Sequence, residues 1–123
     1  MIQVEQFAVI NVHGIWQNSI KTDTEAKIEQ SKKILDLAGS ASGRKIICGD
    51  FHLLPDTRSI RMLNDRYRDL IHEFEVVSTR SPLYTKAVRY SDYVFADKDL
   101  RIKSFVVSDM SISDHLPMVL EFE

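Results

Sequence analysis

Four stretches of this 123-residue chain place acids and imidazoles where an apolar run ends or begins. His13 follows the first such run, Asp50 and His52 follow the second, Asp92 opens a third, and Asp114-His115 precede the last. Ligand sites in open α/β sheets gather beyond strand ends, so residues of this kind meet there even when far apart in sequence. Carboxylates suit a hard divalent cation such as Mg2+ or Mn2+, and imidazole suits proton transfer or hydrogen bonding to a phosphoryl oxygen. The chemistry such a set supports is metal-assisted cleavage of a phosphate ester.

Taken singly, each residue also has a plain structural reading. Gly49-Asp50 reads as an ordinary turn, Asp92 as a cap or pair at a sheet edge, and Ser113-Asp114-His115 as a polar turn. A lone His13 reads as a satisfied or exposed histidine, Asn11 as a structural strand residue, and His72 as a surface residue between a helix and a loop.

The elements that would position these groups alternate between strand and helix. Residues 5–12 form a β-type run, with Phe7 and Val9 on one face and Ala8, Ile10 and Val12 on the other. Thr22 and Glu25 stand at capping-box spacing before a helix, Ile28, Leu35 and Ala38 fall near one helical face with Ile34 and Leu37 beside it, and Gly39 is a plausible end. A short strand follows over residues 45–48, then a turn at Pro55-Asp56-Thr57 and a second helix from Ser59 to about Tyr67. Residues 76–78 read as a short extended piece, and residues 79–88, polar and without periodicity, as a surface loop that, with Arg80, Lys86 and Arg89, reads either as phosphate-contacting or as a solvated basic loop. Strands are predicted over residues 90–96, 102–107 and 118–122.

Strands separated by helices or long loops imply an α/β (α+β) domain, and the length suits a single domain over residues 1–123. Strands apolar on both faces are usually covered on both sides. Two helices cover one side, so the other face calls for a partner, either a second copy or another half of the protein.

Composition narrows the function classes. An apolar fraction of 44% with 28% charged residues is that of a globular protein and argues against disorder. The net charge of −2 is no footprint of a general DNA-binding surface, so nucleic acid is not favoured, although a small phosphate-bearing substrate remains compatible because a metal brings its own positive charge. Cys48 is the sole cysteine, so no internal disulfide forms, which fits a reducing, cytoplasmic compartment; its apolar neighbours Ile46 and Ile47 suggest a buried strand thiol. The first residues lack the basic region of a signal peptide, and no apolar run is long enough to span a membrane.

In order, Asn11-Val12-His13-Gly14, Cys48-Gly49-Asp50-Phe51-His52, Ser91-Asp92-Tyr93-Val94-Phe95 and Ser113-Asp114-His115-Leu116-Pro117 resemble the motifs of the endonuclease/exonuclease/phosphatase family. Lys21-Thr22-Asp23-Thr24, Pro55-Asp56-Thr57 and Ser78-Thr79-Arg80-Ser81 match as supporting pieces, and the resemblance runs from about Val9 to the end. It implies a Mg2+- or Mn2+-dependent phosphoester hydrolase. Asp50 would orient or deprotonate the attacking water, Asp114 would hold the metal with Asp50, and His115 would contact the scissile phosphate. Asp92 would fix the tautomer of His115, and His13 would add a second hydrogen bond or proton.

The chain departs from that pattern in two ways. His52 stands where the family motif ends in Asn, exchanging an amide of fixed donor and acceptor for an imidazole that depends on tautomer and pH and could ligate a metal. The family fold is a four-layer α/β/β/α sandwich whose N-terminal half supplies an Asn and a metal-binding Glu, and this chain resembles the C-terminal half alone. The expected architecture is therefore half a sandwich: one mainly antiparallel sheet, helices on one face, and the other face buried in a homodimer or against a separate N-terminal half. A non-catalytic half-domain that dimerises or complements such a half is the alternative function.

Overall fold

The structure, a computed structural model, describes residues 6–17 and 20–123. Strand β1 (Phe7–His13) leads into helix α1 (Glu25–Ser40), which returns the chain to strand β2 (Arg44–Asp50). Helix α2 (Arg58–Asn64), the short strand β3 (Arg68–Asp69) and the one-turn helix α3 (Leu70–Glu73) follow. Strands β4 (Asp92–Ala96), β5 (Ile102–Val107) and β6 (Met118–Phe122) complete the order.

β1 and β2 are parallel, with His13 beside Asp50, as the intervening helix requires. β4 runs antiparallel to β2, with Asp92 beside Asp50, and β3 closes the far edge, giving the order β1-β2-β4-β3. Two of the three pairings are antiparallel, so the expected mainly antiparallel sheet is present as a mixed one. β5 and β6, expected in that sheet, instead form a separate two-stranded antiparallel sheet.

The two faces of the larger sheet differ. Ile47, Tyr93 and Phe95 are fully buried with Phe51, Leu53, Ile60, Leu63 and Leu70 on the helical side. Phe51 meets Tyr93 and Phe95 edge-on at centroid distances of 5.8 and 5.6 Å. On the opposite face Ile46 and Val94 are buried and Phe105 of β5 belongs to the same core, while Val9 of β1 stays 65% exposed. β4, held between these layers, is buried at all five positions.

Several local signals fall elsewhere than the sequence suggests. Thr24, not Thr22, caps α1, its hydroxyl accepting from the Lys27 amide at 3.2 Å. The reason is Asp23, whose carboxylate faces away to cap the other helix, accepting from the amides of Arg58 (2.8 Å) and Ser59 (2.9 Å). The buried stripe of α1 is Lys27, Ser31, Ile34 and Ala38, and Leu37 is exposed. Ser31 belongs inside because its hydroxyl donates to the Ser59 carbonyl at 2.9 Å, and Lys27 because its ammonium donates to the carbonyls of Ile20 and His52.

Gly39 does not end α1, which continues to Ser40 with Ala41 as its C-cap; the left-handed residue is Gly43, at φ 81°. α2 stops at Asn64 rather than near Tyr67, and β3 and α3 follow it unanticipated. Residues 76–78 form no regular element. The loop expected at the surface over residues 79–88 begins inside, with Thr79, Arg80 and Ser81 all buried. The expected start of the first strand at Glu5 lies outside the described residues.

Gly49 needs its missing side chain. At φ +141° a Cβ would stand 1.9 Å from the Val12 carbonyl oxygen. That close approach lets β1 and β2 run together to their ends, where the Gly14 amide donates to the Asp50 carbonyl at 2.6 Å. No helix among the described residues is long and apolar enough to cross a membrane.

Candidate metal and phosphate site

Asp50, Asp92 and His115 bring potential ligand atoms within 4.8 Å of one another. The sheet register explains the first two, since Asp50 and Asp92 are direct cross-strand neighbours on adjacent strand ends. His115 arrives from the loop before β6 and is pinned there by the backbone. It forms an isolated antiparallel bridge with Arg80, and the neighbouring Leu116 amide donates to the Thr79 carbonyl at 3.0 Å. The next pair, Ser81 amide to Asp114 carbonyl at 3.0 Å, continues the clamp.

The Asp92 carboxylate lies 2.8 Å from Nδ1 of His115. A carboxylate there calls for a proton on Nδ1, which leaves Nε2 as an acceptor in the neutral ring. Arg80 Nη1 stands 2.9 Å from that Nε2, and a guanidinium only donates, so both contacts fit the same neutral tautomer. Burial raises the Asp92 carboxyl above its ordinary range, against the opposing pull of the hydrogen bond and charge of His115.

Asp50 is held by its own surroundings. Its Oδ1 accepts from the Ser91 hydroxyl and, at 3.0 Å, from the His52 amide, and its Oδ2 lies 3.8 Å from Nε2 of His115. Thr79 supports both acids from beneath, its hydroxyl oxygen accepting from the amides of Ser91 (3.1 Å) and Asp92 (3.3 Å).

The donor set fits a hard divalent cation. Two carboxylates with an oriented imidazole match the preference of Mg2+ or Mn2+ for oxygen with some tolerance for nitrogen. Oδ1 of Asp50 already accepts from Ser91 and His52, and Asp92 Oδ2 faces His115, so Asp50 Oδ2 and Asp92 Oδ1 are the oxygens best placed to bind.

The other residues expected at the site sit around this centre. His13 is exposed at the end of β1 and lines, with Asp50, Asp92 and His115, an apolar cavity of about 540 Å³ whose floor includes Ile46, Cys48, Val94 and Phe105. Cys48 is half-buried and its thiol is pushed up by burial, in keeping with an unreactive strand residue. Asp114 is exposed and lies outside the three-residue group; its carboxylate is 3.5 Å from Arg80 Nη1 and 4.0 Å from Nε2 of His115.

His52 is joined to Asp50 through its backbone, not its ring. It adopts φ 53°, its carbonyl accepts from Lys27, and its imidazole lies 6.5 Å from the Trp16 ring. Burial, then the charges of Lys21 and Lys27, hold its pKa below the ordinary value, so the ring is neutral at pH 7. His72 is exposed, as expected.

Some groups near the centre were not anticipated in these roles. Ser91, Thr79 and Tyr84 received none, although Ser91 and Thr79 stand inside the matched motifs. Lys21 is 6% exposed, donates to the Tyr90 carbonyl at 2.8 Å and is lowered to about 8, by burial first and then by Arg80. Arg80 stacks 4.0 Å over the Tyr84 ring. Arg80 was legible as one of three cations of a candidate phosphate-contacting loop, with Lys86 and Arg89, whereas the signal for Lys21 was only its place in the matching tract Lys21-Thr22-Asp23-Thr24.

No family model matches the sequence, and no curated protein matches it. Solved structures do. A functionally unknown conserved protein from Enterococcus faecalis V583 superposes with a TM-score of 0.76 at 20% identity, covering 98% of this chain and 51% of that one. The human Nocturnin catalytic domain, solved with a bound sulfate anion, superposes with a TM-score of 0.56 at 20% identity, covering 95% of this chain and 46% of that one. At such identity the likeness establishes a shared fold, and the chain spans about half the length of each structure it matches.

Proposed function

We propose that this chain forms the hydrolytic site of a divalent-metal-dependent phosphoester hydrolase of the endonuclease/exonuclease/phosphatase type. The observation that carries the reading is the convergence of Asp50, Asp92 and His115, with His115 fixed in one tautomer by Asp92. The fold shared with the Nocturnin catalytic domain supports it.

Mg2+ or Mn2+, held by Asp50 with Asp92 or Asp114, would polarise a phosphoryl oxygen and offset the charge of the ester. Asp50 orients the attacking water and takes its proton, being held in place by Ser91 and the His52 amide. His115, when protonated, would donate its Nε2 proton to the leaving ester oxygen as the P–O bond breaks, with Asp92 holding the imidazolium through Nδ1. His13, across from Asp50 in the β1–β2 register, adds a hydrogen bond at the edge of the site.

The site is completed by a second layer over the open sheet face. Phe7 and Val9 of β1, on the same face as Ile46, are exposed there. Such apolar strand positions are normally covered. A second copy of the chain packed sheet on sheet, or a separately supplied N-terminal half, covers them. The single half-buried thiol suits a reducing, cytoplasmic setting.

The test is hydrolysis of bis(p-nitrophenyl) phosphate and p-nitrophenyl phosphate with Mg2+, Mn2+ or EDTA, with Asp50→Ala as control. Turnover that needs metal and disappears in Asp50→Ala is expected. Absence of any turnover above that control, in a chain whose size in solution shows a dimer, would favour a non-catalytic module. The observation behind that second reading is His52, whose ring stands apart from the three-residue group.

A further inference from the structure

Beside the hydrolytic centre lies a second cleft, of about 360 Å³, which shares Asp50 and His115 with it and is lined further by Lys21, Arg80, Lys86 and Asp114, with His52, Trp16 and Tyr84 at its walls. Its walls carry positive charge under conditions that are costly for folding alone. Lys21 and Arg80 are each more than nine-tenths buried, at 6% and 7% exposure. Burying two cations near each other without matching anions opposes folding. The acids within reach, Asp50, Asp92 and Asp114, are the same ones offered to the metal.

Two nitrogens on these walls also lack partners. Arg80 Nε, a donor, and His52 Nε2 are buried with no hydrogen-bond partner among the described residues. Such groups are rare and each asks for an explanation. The Arg80 side chain makes its contacts to His115 and Asp114 through Nη1. The Lys21 ammonium, with three N–H donors, spends one on the Tyr90 carbonyl.

The Arg80 guanidinium is also held in place by its neighbours. Tyr84 lies under the Arg80 guanidinium at 4.0 Å, and Arg89 Nη2 donates to the Arg80 carbonyl at 3.0 Å. Preorganised cations of this kind, a planar guanidinium beside an ammonium, recognise phosphoryl oxygens with little ordering cost. The cleft is short and concave. The net charge of −2 does not favour a polymeric phosphodiester.

We propose that this cleft is a second anion subsite, which holds a phosphoryl group of the substrate other than the one cleaved at Asp50 and His115. The substrate class is then a small ester carrying at least two phosphoryl groups. This rests on the phosphoester reading for the identity of the neighbouring site, but binding at the cleft does not depend on turnover.

The experiment is calorimetric titration of the full chain with inorganic pyrophosphate in EDTA at low ionic strength, for wild type, Lys21→Gln, Lys86→Gln and Asp50→Asn. Without metal the hydrolytic centre offers the anion carboxylates, whereas the cleft adds Lys21, Arg80 and Lys86, so binding that falls in the lysine variants reports on the cleft. Saturable binding to wild type is expected, weakened about tenfold in each lysine variant, as for loss of one charge-assisted contact. Asp50→Asn should bind at least as tightly as wild type, because a negative charge beside the cleft is gone. Lys86 is exposed on its loop, so Lys86→Gln keeps the test decisive if Lys21→Gln fails to fold. No saturable binding to wild type, or binding untouched in the folded lysine variants, would overturn the proposal. So would loss in Asp50→Asn as large as in the lysine variants, which would put the anion on the hydrolytic cluster. Failure of hydrolysis with pyrophosphate binding intact would count against the catalytic reading and leave the subsite standing.

Discussion

Replacing Lys21 by methionine should make the chain more stable at neutral pH. Lys21 is almost wholly buried, and burial, reinforced by Arg80, lowers its pKa from 10.5 to about 8. That gap corresponds to roughly 3 kcal/mol of preference for the neutral amine in the folded chain. Methionine fills much the same volume without the charge, but gives up the hydrogen bond to the Tyr90 carbonyl, a loss of about 1 kcal/mol. The net gain at pH 7 is therefore about 2 kcal/mol.

The sign of the pH dependence follows from linkage. The folded state binds this proton less tightly than the unfolded state, so the wild type is penalised in full below about pH 8 and relieved as pH rises towards 10.5. The advantage of Lys21→Met should shrink across that window and reverse at its top, where only the lost bond to Tyr90 remains. Urea unfolding of both proteins at pH 7 and at closely spaced values up to 10.5 measures the difference, with unchanged slopes showing that the unfolded states are comparable. A variant less stable than wild type at pH 7, or a difference that does not vary with pH, would refute the reasoning. A destabilising buried cation that persists beside a candidate site is what a functional requirement looks like, because stability and function are commonly traded there.

Two further outcomes follow from the supports of the site. Thr79→Val leaves the Ser91 and Asp92 amides without their acceptor and should cost about 2–3 kcal/mol in urea unfolding, while Thr79→Ser, which keeps the oxygen, should cost much less. Asp92→Asn removes the carboxylate that fixes His115 and should lower kcat by about 100-fold or more under saturating metal. Because burial raises the Asp92 pKa, its contribution to stability is present at acid pH and lost as pH rises through the folded value. Wild type should therefore lose stability relative to Asp92→Asn as the pH is raised from about 4, the ordinary carboxylate value, towards neutrality. Thermal melts at a series of pH values would check this.

Much of the frame was legible because it rests on local signals. The runs read as strands over residues 5–12, 45–48 and 90–96 match the observed β1, β2 and β4 to one or two residues at their ends, and those at 102–107 and 118–122 coincide with β5 and β6. The one-sided covering by helices was legible from their number. The misreadings come from side chains whose partners are distant in sequence. Lys27 and Ser31 occupy the buried stripe of α1 because carbonyls of Ile20, His52 and Ser59 receive them, and no periodicity argument ranks a lysine as core. Thr22 lost the cap of α1 to Thr24 because Asp23 turns to α2.

The loop from Thr79 was misread for the same reason. Thr79, Arg80 and Ser81 look like solvated residues in sequence, yet each is buried against β4 or the segment around Ser113–His115 by hydrogen bonds. At the site, the order of acids and imidazoles was visible in the motifs, whereas their support by Ser91, Thr79 and Arg80 required the register of β2 against β4. Asp114 shows what a motif leaves open. It adjoins His115 in sequence, but its carboxylate lies outside the Asp50–Asp92–His115 group.

Turnover of the Asp50→Ala and His115→Ala single variants and of the double variant, compared with wild type under saturating Mg2+ or Mn2+, tests the central claim most directly. If Asp50 and His115, 3.8 Å apart, act on one phosphoryl group as a unit, either substitution alone removes most of the rate and the double variant is hardly worse than the more damaging single one. Losses that multiply independently, or a wild type whose rate neither substitution changes, would contradict it.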